Sequence, residues 1–229
     1  PKSFDATATK AVPGVKHVVQ ISNGVAVVAD NTWAAMQGRK VLKVEWDEGP
    51  NATASTASLK KMFSDLAEKP GTQARKTGDV EAALASAAKK VEAVYEVPFL
   101  SHATMEPMNC TALVTADGCD IWSGIQMQNI SRNIAAKAAG LPPEKTRVHT
   151  QYMGGGFGRR GRQDFVQEAV EIAKAVGSGV PVKLTWTRED DMQNDGYRPM
   201  SHVRFTAALD AQGWPTAWMV RVVQPSFTG

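Results

Sequence analysis

The residues best placed to do chemistry cluster in one stretch, Met153-Gly154-Gly155-Gly156-Phe157-Gly158-Arg159-Arg160-Gly161. Gly156, Gly158 and Gly161 have the G-x-G-x-x-G spacing of a dinucleotide turn. Glycines there permit unusual backbone angles and leave N–H groups bare, and a helix that follows offers a partial positive charge to an anion. The stretch can therefore be a nicotinamide or flavin loop, another kind of phosphate cradle, or a tight turn with its arginines in water. Three features weigh against the nicotinamide reading. Arg147 to Tyr152, just upstream, is polar, whereas a central parallel strand is mostly apolar. Two arginines fill slots that a dinucleotide loop gives to small or apolar residues. Glu189 lies well beyond the ~20-residue offset of a ribose carboxylate. Three consecutive glycines still carry a large entropic cost, which points to a close backbone approach to something.

Other reactive residue types say less. His102, His149 and His202 show no metal-ligand spacing and read as structural. Cys110 and Cys119 flank an Asp117-Gly118 turn signal; free buried thiols are expected, with a disulfide across the hairpin as the alternative. No C-x-x-C pair is present.

The elements that must position the glycine stretch are of mixed type. Val15 to Val28 reads as two β segments around Asn23-Gly24. Asp30 or Asn31 is set to cap a following helix, and Val41 to Trp46 alternates as a strand. Asn51 to Lys76 is linker-like, with a helix stopped by Pro70-Gly71. A short helix follows Asp79, and Val91 to Phe99 reads as a strand. Thr111 to Gly124 is a hairpin. Asn129 to Ala139 is a helix ended by Gly140. Arg147 to Met153 leads as a strand into the glycines, and Gln163 to Val176 follows as an amphipathic helix. Val182 to Thr187 is a strand, and Val203 to Val223 is a hairpin around Asp210-Gly213. Hairpins and crossovers together argue an α+β fold.

The 229 residues, 43% hydrophobic and 21% charged, allow one large or two small cores. A net charge of +3 is too small to argue for nucleic acid. No apolar run approaches about 20 residues, so no membrane span is expected, and no signal peptide is visible. The chain opens on Pro1 without an initiator Met, and reads as an excised piece or mature product of something longer.

Several motifs occur in one order: Phe99-Leu100-Ser101-His102-Ala103-Thr104-Met105-Glu106-Pro107, Thr111-Ala112, Gly124-Ile125-Gln126, Met153 to Gly158, and Thr187-Arg188-Glu189-Asp190-Asp191-Met192. Together they resemble the molybdopterin-binding large subunit of the xanthine oxidase and aldehyde oxidase family, and most of all its isoquinoline 1-oxidoreductase β-subunit branch. The resemblance covers nearly the whole chain. It implies a partial α/β hammerhead domain over 1–50, a linker with short helices over 51–90, and the N-terminal part of a molybdopterin-binding α+β domain over 91–229.

For the site, the resemblance implies that Gln126 hydrogen-bonds a molybdenum oxygen ligand, a task suited to a neutral amide. Gly154, Gly155, Gly156, Phe157 and Gly158 would pass beside the cofactor, with Phe157 near the substrate or cofactor; the alternative for Phe157 is a core aromatic. Arg159 and Arg160 would meet a phosphate or pyrophosphate; the alternative for them is solvated surface. Arg188, Glu189 and Asp191 read as an ion-pair network shaping a loop, and Glu106 as a fold-fixing carboxylate. Purine-oxidising members carry a glutamate where this chain has Gly161, so purine specificity is not expected.

The implied reaction is oxidation of an N-heteroaromatic compound or an aldehyde with water as oxygen donor. The implied cofactor is molybdopterin with molybdenum, in its cytosine dinucleotide form. Electrons would pass to a 2Fe-2S small subunit, since this chain lacks the thiolates for a cluster. A late glutamate that serves the family as base lies beyond Gly229, so the chain alone is expected to be inactive without the rest of the large subunit. Resemblance to exported members favours the periplasm. Two rivals remain: a nicotinamide-dependent oxidoreductase using Gly156 to Gly161, and an assembly domain in which the glycine loop is only structural.

Overall fold

The computed structural model describes residues 1–177 and 179–226. The chain divides into two compact units, each assembled from two separate stretches. Residues 1–49 join 102–196, and residues 50–101 join the stretch from Tyr197 onward. Among the described residues no helix is long and apolar enough to cross a membrane.

The first unit holds β1 (Ser3–Asp5), α1 (Thr7–Lys10), β2 (Val15–Ile21), β3 (Gly24–Ala29), α2 (Thr32–Val41) and β4 (Lys43–Glu45). β2 and β3 form the expected hairpin, and Asn31 caps α2 by accepting from the Ala34 N–H at 2.9 Å. The expected strand from Val41 is shorter than its alternation suggests, because α2 runs on to Val41 and β4 pairs only with β1.

The second stretch of the same unit carries β6 (Asn109–Val114), β7 (Cys119–Ser123), α5 (Gln128–Ala139), β8 (Thr146–Thr150), α6 (Asp164–Val176), β9 (Val182–Thr185) and α7 (Arg188–Gln193). Its mixed sheet runs β8-β7-β6-β9, with β8 parallel to β7 and the other pairs antiparallel. α5 and α6 cover one face. Alternate strand residues Cys110, Ala112, Ile121 and Val182 meet Ala135, Phe165, Val166, Ala169 and Val170 there. Each large apolar side chain buried in this way contributes about 1.5–3 kcal/mol. Gly140, at φ +78°, ends α5 as its sequence position implies. Cys110 and Cys119 are free buried thiols. Burial pushes Cys110 up to about 12 and Cys119 up to about 11.

The second unit comprises α3 (Thr56–Ala67), α4 (Val80–Ala85), β5 (Lys89–Val97), β10 (Ser201–Leu209) and β11 (Pro215–Val223). The sheet order is β11-β10-β5. Residues 51–90 are therefore more than a linker: α3 is fixed by a Ser55–Ser58 capping box and buries Phe63 and Ala67. Arg221 donates to the Ala67 carbonyl at 3.0 Å, which ties α3 to one face of the sheet. The opposite face aligns Tyr95, Val203 and Val222, then Ala93, Phe205 and Val220, then Val91, Ala207 and Trp218. Tyr95, Val91, Val220, Val222 and Trp218 are exposed on it. Strand β5 begins two residues earlier than its alternation suggests, because Lys89 and Lys90 pair with Leu209 and Ala208.

Candidate functional site

The site grows from three segments of the first unit that leave regular structure close together. Strand β7 ends at Ser123, and Gly124-Ile125-Gln126 turns into α5. Strand β8 ends at Thr150 and runs into the glycine stretch. The segment from His102 to Pro107 precedes β6.

Close packing among these segments explains the glycines. A Cβ on Gly124 would fall 2.8 Å from the Met153 Cβ, one on Gly154 would fall 2.6 Å from the Glu106 Cβ, and one on Gly156 would fall 2.9 Å from the Gln126 Cδ. At Gly124 and Gly154 only hydrogen fits, and at Gly156 a side chain would have to displace the Gln126 amide. Gly155 and Gly158 adopt φ of +95° and +103°, and Phe157 between them is held at +52°, a conformation costly for a side chain with Cβ. Gln126 is exposed, and its amide packs against Gly156. Phe157 is 75% exposed, and Met105, Met127, Tyr152 and Met153 are exposed as well. The structure thus brings Gln126, Gly156 and Met153 into contact, with Phe157 on the same loop.

The backbone of the loop divides into two parts. Gly154 donates to Glu106 Oε2 at 2.7 Å, and its carbonyl accepts from the Glu106 N–H at 3.1 Å, so Gly154 is a docking point. From Arg159 the chain coils into a short turn, with Arg159 N–H on the Gly156 carbonyl at 2.8 Å and Gly161 N–H on the Gly158 carbonyl at 3.0 Å. Between these, the N–H groups of Gly155, Gly156, Phe157 and Gly158 make no hydrogen bond among the described residues. Such groups, when covered, are almost always paired.

Arg159 and Arg160 depart from expectation. They are 1% and 0% exposed, and neither guanidinium is open to a phosphate or to water. Arg160 donates to the carbonyls of Gly155 (2.7 Å), Gly124 (3.2 Å) and Glu106 (2.8 Å), and to Glu106 Oε2 (2.8 Å). Arg159 forks onto Asp164 at 2.9 and 3.1 Å, with its Nε 2.8 Å from Asp195 Oδ1. Its guanidinium lies 5.2 Å from the Trp186 ring centroid. Local carboxylates and carbonyls take these donors because a buried guanidinium must be paired. Both arginines are therefore positioning residues for the loop, in place of the expected direct phosphate contacts.

The charges follow from these contacts. Burial pushes the Glu106 carboxyl up, but the Gly154 N–H, the Asn109 amide and the Arg160 charge outweigh it and hold it below the usual range. Burial also lowers the Arg160 guanidinium, against the pull of Glu106. Arg188 bonds Asp191 at 2.7 Å and the Met105 carbonyl at 3.0 Å, so this motif does shape the His102–Pro107 segment. His102, set aside in the sequence, is brought to the loop: its Nε2 lies 3.6 Å from where a Cβ on Gly158 would sit.

The nicotinamide alternative finds no support in this geometry. The turn after Gly158 satisfies the N–H groups of Arg159, Gly161 and Arg162 within itself. At the start of α6 an anion would meet the Asp164 carboxylate, which already accepts from the Phe165 N–H at 2.9 Å. Strand β8 is an edge strand, which also accounts for its polar sequence. Among the described residues no group of three or more His, Cys, Asp or Glu could hold a metal ion.

Comparison with known proteins agrees with the resemblance drawn from the motifs. The model of the molybdopterin cofactor-binding domain matches residues 64–226. The chain is 32% identical over 219 residues to the isoquinoline 1-oxidoreductase subunit beta of Brevundimonas diminuta, covering 91% of this chain and 28% of that protein. It is 30% identical over 240 residues to the aldehyde oxidoreductase molybdenum-binding subunit of Escherichia coli, covering 94% and 32%. The aldehyde oxidoreductase of Desulfovibrio gigas has the same fold over 97% of this chain and 29% of its own, at a TM-score of 0.76 and 21% identity. The chain thus spans about three tenths of the length of these relatives. With its five motifs in order and the domain model covering more than half its length, the chain belongs to the molybdopterin cofactor-binding domain family of molybdenum-binding subunits.

Proposed function

We propose that this chain forms one wall of the molybdopterin site in the large subunit of a molybdenum hydroxylase. The whole protein would oxidise an N-heteroaromatic compound or an aldehyde, take oxygen from water and pass electrons to an iron–sulfur subunit. The observation that carries the reading is the run of four unpaired N–H groups, Gly155 to Gly158, beside the Gln126 amide. These are neutral donors with no thiolate or imidazole cluster among them. They fit a group that brings its own metal ligands and presents acceptor atoms to the protein.

When bound, molybdopterin supplies the redox chemistry. The residues of the chain supply orientation. Gly155, Gly156, Phe157 and Gly158 donate backbone hydrogen bonds, and Gln126 donates through its amide without ligating a metal. Phe157 lines the approach of the substrate. Arg160 and Glu106 fix the loop relative to Gly124 and therefore to Gln126. Gly161, which stands where purine-oxidising relatives keep a glutamate, supports a non-purine substrate. The cytosine dinucleotide form of the cofactor and a hammerhead origin for residues 1–50 belong to the same reading.

The test is metal and pterin analysis of the full-length protein. Stoichiometric molybdenum and the fluorescence of an oxidised pterin are expected. Active, correctly matured protein lacking both would refute the proposal.

A further inference from the structure

His102 is held on one side and open on the other. Its backbone N–H donates to Asp195 Oδ2, and its Nδ1 lies 3.1 and 3.0 Å from the two Asp195 oxygens. The Asp195 side chain is 1% exposed and sits 2.8 Å from Arg159 Nε, so the carboxylate is fixed in place. A carboxylate facing Nδ1 places the proton there and leaves Nε2 of the neutral ring as an acceptor. Nε2 points toward Gly158, at 3.6 Å from the position its Cβ would take. Among the described residues nothing hydrogen-bonds Nε2. The ring is still 18% exposed, so the gap opens outward. Ala103, next to His102, and Phe157, next to Gly158, are the two described non-glycine residues with positive φ, at 46° and 52°. Such strain persists where surroundings over-determine the backbone, and it clusters where ligands are held.

We propose that His102 is a ligand-contacting residue. Its Nε2 accepts a hydrogen bond from an N–H or O–H group of the heterocycle seated against Gly155 to Gly158, and Asp195 fixes the tautomer that makes this possible. The inference rests on the molybdopterin reading. It goes further by assigning the Gly158 end of the loop to an imidazole. The N–H heterocycle is either the pterin or an N-heteroaromatic substrate, and two readouts separate them.

The experiment uses the full-length subunit with its cofactor. His102→Asn keeps an amide at the Nδ1 position, and so keeps the Asp195 contact, but has nothing at Nε2. His102→Gln does the reverse. The expected result is a His102→Asn protein with wild-type melting and about tenfold loss at the site, the scale of one hydrogen bond, with His102→Gln less impaired. Loss of retained pterin identifies the cofactor as the donor. A raised KM at full pterin content identifies the substrate. A His102→Asn protein equal to wild type in both readouts overturns the proposal. So does a His102→Gln protein no better than His102→Asn, or a His102→Asn protein that fails to fold. Wild-type protein without pterin would instead sink the molybdopterin reading itself.

Discussion

The amide of Gln126 occupies the space that a side chain on Gly156 would need, with Cδ and Oε1 both 2.9 Å from the Cβ position. The glycine and the glutamine are thus one feature. Gly156→Ala should displace Gln126 outward, since Gln126 is exposed and free to move. Stability should change by less than about 1 kcal/mol, while turnover of the full-length enzyme falls at least about tenfold. Adding Gln126→Ala should cost little more, because contacting residues are not additive. Thermal melts and steady-state kinetics of the single and double variants check this. Additive losses would show that the two residues act separately.

Arg160 is the strongest tie in the loop. Arg160→Met leaves three carbonyls and the Glu106 carboxylate without their donor, and should destabilise the protein by about 3–5 kcal/mol. Arg160→Lys should recover only part of that, since an ammonium cannot reproduce the fork. Arg162→Ala, whose side chain is 64% exposed, should stay within about 0.5 kcal/mol of wild type. Denaturant unfolding of the three variants gives the order.

Acid should loosen the same tie. Glu106 is held below its ordinary value of 4.5 in the folded protein. A depressed carboxyl contributes stability that is fully present above the unfolded value and is lost as pH falls through the folded one. The stability gap between wild type and Glu106→Gln should therefore be constant above about pH 5 and close below pH 4.5. Unfolding midpoints across that range measure it. A gap that stays open in acid would mean that Glu106 acts through packing alone.

Neither cysteine should be reactive in the folded state. With Cys110 near 12 and Cys119 near 11, almost no thiolate exists at neutral pH, and both residues are buried. Native protein should resist iodoacetamide at pH 8, and both thiols should be alkylated in denaturant. Mass spectrometry before and after unfolding reads the result.

How much was legible in the sequence depended on where each residue's partner lay. The apolar face of α6 could be read because Phe165, Val166, Ala169, Val170 and Ala173 repeat at helical spacing, and Gly140 because a cap is local. Helix α7 could not be read, since Arg188 to Gln193 has no apolar stripe; it is started by the Thr187–Asp190 capping box. Residues 51–76 looked like linker because α3 buries only Phe63 and Ala67. Arg159 and Arg160 read as phosphate contacts or solvated surface because two of the groups that neutralise them, Asp195 and Glu106, are distant in sequence. His102 carries no signal in the sequence for the same reason: its partner is 93 residues away. The motif order, by contrast, did carry the family.

The interleaving of the two units has a consequence for synthesis. The β2–β3 hairpin emerges early, yet it docks on α6, where Glu171 accepts from the Ser22 N–H at 2.8 Å and Glu168 from Asn23 at 2.7 Å. Strand β5 likewise waits for β10 before it can pair. Chains usually fold their N-terminal domain first as they leave the ribosome. This one cannot, because each unit needs residues from its second stretch. The glycine loop is also translated before Asp191 and Asp195, the carboxylates that steady the segment facing it. A nascent chain would thus hold the loop through Arg160 and Glu106, and only after those acids emerge could the facing segment take its final shape.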